Sequence, residues 1–168
     1  MTSLKFPGLL LGLVSAAAVA QGPLPNLAGR EQLTGCRQGE CAWTRFLEVT
    51  RAATIPQGEL RRVRLRVATA PELTPRRQLR WEEERTDHVF CSRVRPAYGF
   101  ETESGGFLVH YLDLYDLAGY QMASASLYMR VCHDRAPAGS AVLRRLGYRP
   151  GTRSEQTESE QLEALTRF

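Results

Sequence analysis

One segment leaves the chain little choice of local structure. In Leu60–Thr69 the apolar residues Val63, Leu65 and Val67 alternate with Arg62, Arg64 and Arg66. A repeat of two residues puts the apolar set on one side of an extended backbone and the charged set on the other. The segment therefore reads as a β-strand with one buried face, and three guanidinium stems stand in a row about 6.8 Å apart on the opposite face. Such a strand needs neighbours. Cys41–Thr50, carrying Trp43, Phe46 and Val49, is one candidate, and the turn signal Ile55–Glu59 would join the two.

Further candidates follow. Glu82–Glu84 run into the strand His88–Val94, which Arg95-Pro96 stops because proline cannot donate to a ladder. Opposite charges directly across strands attract, so Glu82, Glu83 and Glu84 are the expected partners of the arginine row. Gly105-Gly106 marks a hairpin, and Phe107–Tyr115 reads as a buried strand. From Ala123 to Cys132 apolar and polar residues alternate strictly, which predicts one more strand. The fold class is mainly β, a small antiparallel sheet or sandwich-like domain, with α+β as the alternative.

The N-terminus bounds the compartment. Lys5, the apolar run Leu9–Val14 and the small residues Ser15–Ala20 have the layout of a secretory signal peptide, residues 1–20, cleaved near Ala20. The apolar run is too short to span a bilayer, so no stable membrane anchor is expected. Leu33-Thr34-Gly35-Cys36 matches a lipoprotein cleavage box, but the polar stretch Gln21–Gln32 separates it from the apolar run and rules out that use. Apart from histidines, every basic residue after Ala20 is arginine, which suggests a GC-rich bacterial genome and a periplasmic or secreted product.

Cys36, Cys41, Cys91 and Cys132 are an even set in an oxidising compartment, so two disulfides are expected. Gly39 inside the short loop favours pairing Cys36 with Cys41, leaving Cys91 to pair with Cys132. A zinc site using Cys36, Cys41, Cys91 and His88 or His133 is the rival; the Cys-x4-Cys spacing and export both weigh against it, and neither metal nor cofactor is expected. The domain is placed at residues 31–134, after an extended leader at 21–30. Residues 135–168 read as a flexible tail, with one short helix suggested by Leu162, Leu165 and Phe168.

Chemistry is sparsely signalled. The net charge of +4 includes Lys5 of the expected signal peptide, and the remainder is too mild to imply nucleic acid. Asp87-His88, His110-x-x-Asp113 and Cys132-His133-Asp134 are the places where a hydrolase or metal-dependent enzyme would have its groups. No Gly-x-Ser-x-Gly elbow or glycine-rich phosphate loop accompanies them. The leading expectation is a non-enzymatic, inhibitor-like or adaptor-like module that binds an envelope component of anionic character. Its candidate contacts are the Arg62, Arg64 and Arg66 face, or an aromatic surface around Tyr98, Tyr111 and Tyr115.

Overall fold

A computed structural model describes residues 23–167. Seven strands form one antiparallel sheet in which spatial order repeats chain order: β1 (Glu31–Arg37), β2 (Glu40–Ile55), β3 (Gly58–Pro71), β4 (Arg85–Cys91), β5 (Ala97–Glu101), β6 (Phe107–Tyr111) and β7 (Glu155–Ser159). The chain is thus mainly β. The helices among the described residues are α1 (Met122–His133), α2 (Ser140–Arg145) and three short 3-10 turns. The signal-peptide reading falls on residues outside those described.

The alternation of β3 sets up two faces. Val63 and Leu65 are fully buried on the first face, where they line up with Phe46 and Val49 of β2. Val89 of β4 and Tyr98 of β5 continue that side of the sheet. Helix α1 covers it with Ala125, Tyr128, Met129 and Val131. The Cys91–Cys132 disulfide ties the end of α1 to the end of β4, and Cys36–Cys41 closes the β1–β2 hairpin. Both pairings are the expected ones. The longer loop, with a sequence separation of 41, removes more freedom from the unfolded chain.

Two strand expectations need correction. Ala123–Cys132 is helical, because Ala, Leu and Met favour helix. Its small-residue alternation did not mark a strand face, since Ser124, Ala125, Ser126, Leu127, Tyr128 and Met129 are all buried whatever their parity. Glu82–Glu84 lie in a loop before β4, held by the Glu82 N–H donating to the Val67 carbonyl at 2.8 Å.

The segment after Asp134 is part of the domain. It supplies α2, the edge strand β7 paired along the whole of β6, and the 3-10 turn Leu162–Thr166. Leu165 there is 0% exposed and packs with Phe90, Ala97, Val109 and Tyr111 on the second face. At the other end, Leu27 of the expected leader is 1% exposed within the first-face core. Single apolar residues in polar, glycine-rich surroundings gave no periodic signal.

Leu165→Ala is expected to cost about 2–5 kcal/mol, the range for a fully buried leucine. Urea unfolding followed by circular dichroism measures it; an unchanged midpoint would return the segment to the status of a tail.

Candidate functional site

The second face of the sheet is covered at its two ends and open between them. Along β3, Leu60 lies under the Leu162–Thr166 turn. Ala68 and Ala70 lie under Leu79, flanked by Trp43 and Trp81. Between these covers Arg62, Arg64 and Arg66 stand exposed, as the alternation requires. The strip is widened by cross-strand neighbours: Thr50, Glu48 and Arg45 on β2 face Arg62, Arg64 and Arg66 in turn, and His88 and Thr86 on β4 face Arg62 and Arg64.

The three arginines are not equivalent. Arg64 bonds Glu84 at 2.6 Å and Glu48 at 3.1 Å. Hydrogen bonding from Arg64 holds the Glu84 carboxyl below its usual range and pushes the guanidinium above its own. Arg62 and Arg66 form no ion pair among the described residues. Neither Glu82 nor Glu83 pairs with the row, because their loop does not run as a strand beside it. Arg45 is taken up by Glu31 at 2.6 Å and stacks over Trp81 at 4.2 Å, and Arg76 stacks over Trp43 at 4.7 Å. These cation–π contacts build one wall of the strip. The period-two pattern of Trp43 and Arg45 on β2 was the signal that could have placed them beside the row.

The expected aromatic surface does not exist. Tyr98 is 2% exposed beneath α1, its hydroxyl donating to Asp87, while Tyr111 is 5% exposed on the opposite face and donates to the Ala164 carbonyl. Odd and even positions of adjacent strands cannot share a face in this register. Tyr115 lies apart from both, half-buried, and donates to the Tyr148 carbonyl at 3.0 Å.

The histidines are dispersed. His88 is on the second face, whereas its sequence neighbour Asp87 points to the first and bonds Tyr98 and Arg85. Burial raises the Asp87 carboxyl, against the pull of Arg85. His110 meets Ser124 of α1 at 2.7 Å and Gln156 of β7 at 3.1 Å, with Asp113 elsewhere, capping the Tyr115 N–H. Since the Gln156 oxygen accepts from Nε2–H, Nδ1 must accept from the serine hydroxyl. That order of groups resembles a nucleophile and its base, but Ser124 is buried in the first turn of α1, and the bonds pin that turn to the sheet edge. His133 bonds Tyr148 at 2.6 Å, Tyr148 bonds Tyr128 at 2.7 Å, and Tyr128 donates to the Ser92 carbonyl. One proton per hydroxyl then fixes the direction: His133 Nε2–H donates to Tyr148, which donates to Tyr128. Asp134 pairs with Arg30 and Arg130. Among the described residues no three His, Cys, Asp or Glu side chains are grouped as metal ligands.

No family model, curated protein or solved structure matches the chain.

The buried histidine chain has a pH consequence. Burial first, then the charges of Arg135, Arg61 and Arg93, lower His133 from 6.5 to about 4. Between those values the unfolded chain binds a proton that the folded one refuses, so this part of the stability is complete above 6.5 and is lost as pH falls toward 4. His88 and His110, also lowered by burial, act in the same direction. Asp87, raised from 3.8, acts in the opposite one as pH rises through its own window. Denaturant midpoints measured across this range should therefore fall less steeply with acidification in H133Q than in wild type; parallel curves would remove His133 from the account.

Proposed function

We propose that the chain is an exported, non-enzymatic binding module that takes an anionic envelope component along the Arg62–Arg66 strip. The observation that carries this reading is the pair of exposed guanidinium groups, Arg62 and Arg66, that form no ion pair among the described residues, Arg66 feeling only the charge of nearby Glu84, on a part of the sheet that neither cover reaches. A linear polyanion lying along β3 meets Arg62 and, about 13.6 Å further on, Arg66, with the neutralised Arg64 between them, and its carboxylate or phosphate groups supply the ion pairs the fold does not. Fixed on a strand, these side chains need no backbone rearrangement to bind. The dispersed histidines give the alternative, a hydrolase or metal-dependent enzyme, no assembled site among the described residues.

Export accounts for the two disulfides and for the N-terminal pattern of Lys5, apolar run and small residues. Among the described residues no helix is long and apolar enough to cross a membrane.

Two experiments test the reading. On a polyuronate resin the oxidised chain should be retained at low salt and released at high salt, while R62E/R66E elutes early. Arg64 is left in place because its carboxylate partners already neutralise it. Co-elution of variant and wild type would overturn the strip as the site. For export, residues 1–20 fused to a reporter enzyme that is active only after translocation should give activity; a silent fusion in a bacterial host would overturn the compartment.

A further inference from the structure

The strip has a polarity of its own. Its carboxylates gather at one end: Glu84 and Glu48 on Arg64, and Glu31 on Arg45, which faces Arg66. The nearby cleft of about 280 Å³ is lined by Glu84, Asp87 and Glu101 against Arg85 alone, so it does not favour an anion. Arg62, at the opposite end, has no carboxylate bonded to it. What faces it across β4 is His88.

His88 is the unexplained residue of the sheet. It is 7% exposed, and among the described residues its Nδ1 has no hydrogen-bond partner and its ring meets Phe107 in a T-shaped contact at 6.0 Å. A buried polar nitrogen without a partner costs about 1–3 kcal/mol. The register places His88 directly across from Arg62, whose guanidinium forms no ion pair among the described residues, and side chains in that relation have Cβ atoms about 5 Å apart. On the other side of Arg62, at the same level, β2 presents the hydroxyl of Thr50. Hydroxyl, guanidinium and imidazole therefore stand side by side over three strands, all capable of donating and none held by an ion pair.

We infer that Thr50, Arg62 and His88 form a subsite for a phosphate group, and that the anionic partner carries phosphate. A carboxylate has two oxygens, and the Arg62 fork alone can satisfy both. A tetrahedral phosphate has further oxygens pointing away from that fork, and these meet His88 on one flank and Thr50 on the other. Arg62 is free of ion pairs, so it can close over an oxyanion seated against the imidazole. Leu165, packed on Gly99 beside His88, ends the row on the β5 side, since a Cβ at Gly99 would lie 3.0 Å from Leu165.

This inference rests on the proposed anionic strip but can fail separately. The test is a side-chain NMR titration of the oxidised chain with inorganic phosphate, with acetate at matched ionic strength, and with a short polyphosphate. Phosphate should shift the His88 imidazole saturably and leave His110 and His133 in place. R62Q should weaken binding at least about tenfold, H88Q in the same direction, and R66Q less than about twofold. Tighter binding of polyphosphate identifies a polymer as the source; equal binding identifies free phosphate. Because the wild-type titration needs no variant, an H88Q chain that fails to fold does not block the test. If acetate matches phosphate, or His88 does not move, the subsite is overturned, even where the resin still separates R62E/R66E from wild type. If the resin fails to separate them while phosphate still shifts His88, the strip falls and the subsite stands.

Discussion

The side-chain alternation of β3 decides the rest of the structure. One face of that strand has to be covered, and the only long helix among the described residues, α1, covers it; the disulfide to β4 then fixes where the helix ends. Because the pleat assigns every neighbouring residue to a face through its register with β3, the same alternation sends Tyr98 and Asp87 under α1 and His88 and Phe90 to the other side. Slipping the register by one residue would bury the three arginines and expose Val63 and Leu65, an exchange costly enough to leave one pairing.

The adjacent residues Arg61 and Arg62 show how strictly the two faces are treated. Arg61 is buried on the first face, bonded to Glu59 at 2.6 Å and to the Val131 carbonyl near the end of α1 at 2.6 Å. Its guanidinium thus meets both a carboxylate and the negative end of a helix, and Glu59 is shared with Arg51. Arg62, one step along, is in solvent and needs no partner. Identical residue types carry opposite requirements because water is present on one face only.

How much of this was legible follows from the same physics. Strand β3, the strands on either side of it and the cysteine pairing could be read because periodicity, turn residues and loop length act within a few residues of sequence. Helix α1 was misread because it is buried nearly all round, so its pattern carries no polar stripe, and Ser124 and Ser126 gave a false alternation. Residues 135–168 were misread because β7 is an exposed edge strand of Glu155, Gln156, Thr157, Glu158 and Ser159, with no apolar face to announce it. Its place is set by pairing with β6, a long-range fact. The arginine row was visible as residues; its differentiation into one neutralised member and two without an ion pair among the described residues depended on where the loop at Glu82–Glu84 runs.

An exposed arginine is inexpensive to keep, so the row alone says little about selection for binding. His88 is the stronger observation because its position has a cost. Replaced by an apolar residue, it would pack against Phe107 and relieve both the unpartnered nitrogen and the desolvation that, with the charge of Arg62, lowers its basicity. The other two histidines are each held by hydrogen bonds that tie helix to sheet or to the loop beyond α2, and their burial needs no ligand. Only His88 keeps a buried ring nitrogen without a partner, and it is also the one that stands across from an arginine with no ion pair among the described residues. A phosphate between them would satisfy the imidazole and neutralise the guanidinium in one step, which is why the weight of the functional reading rests at that end of the strip.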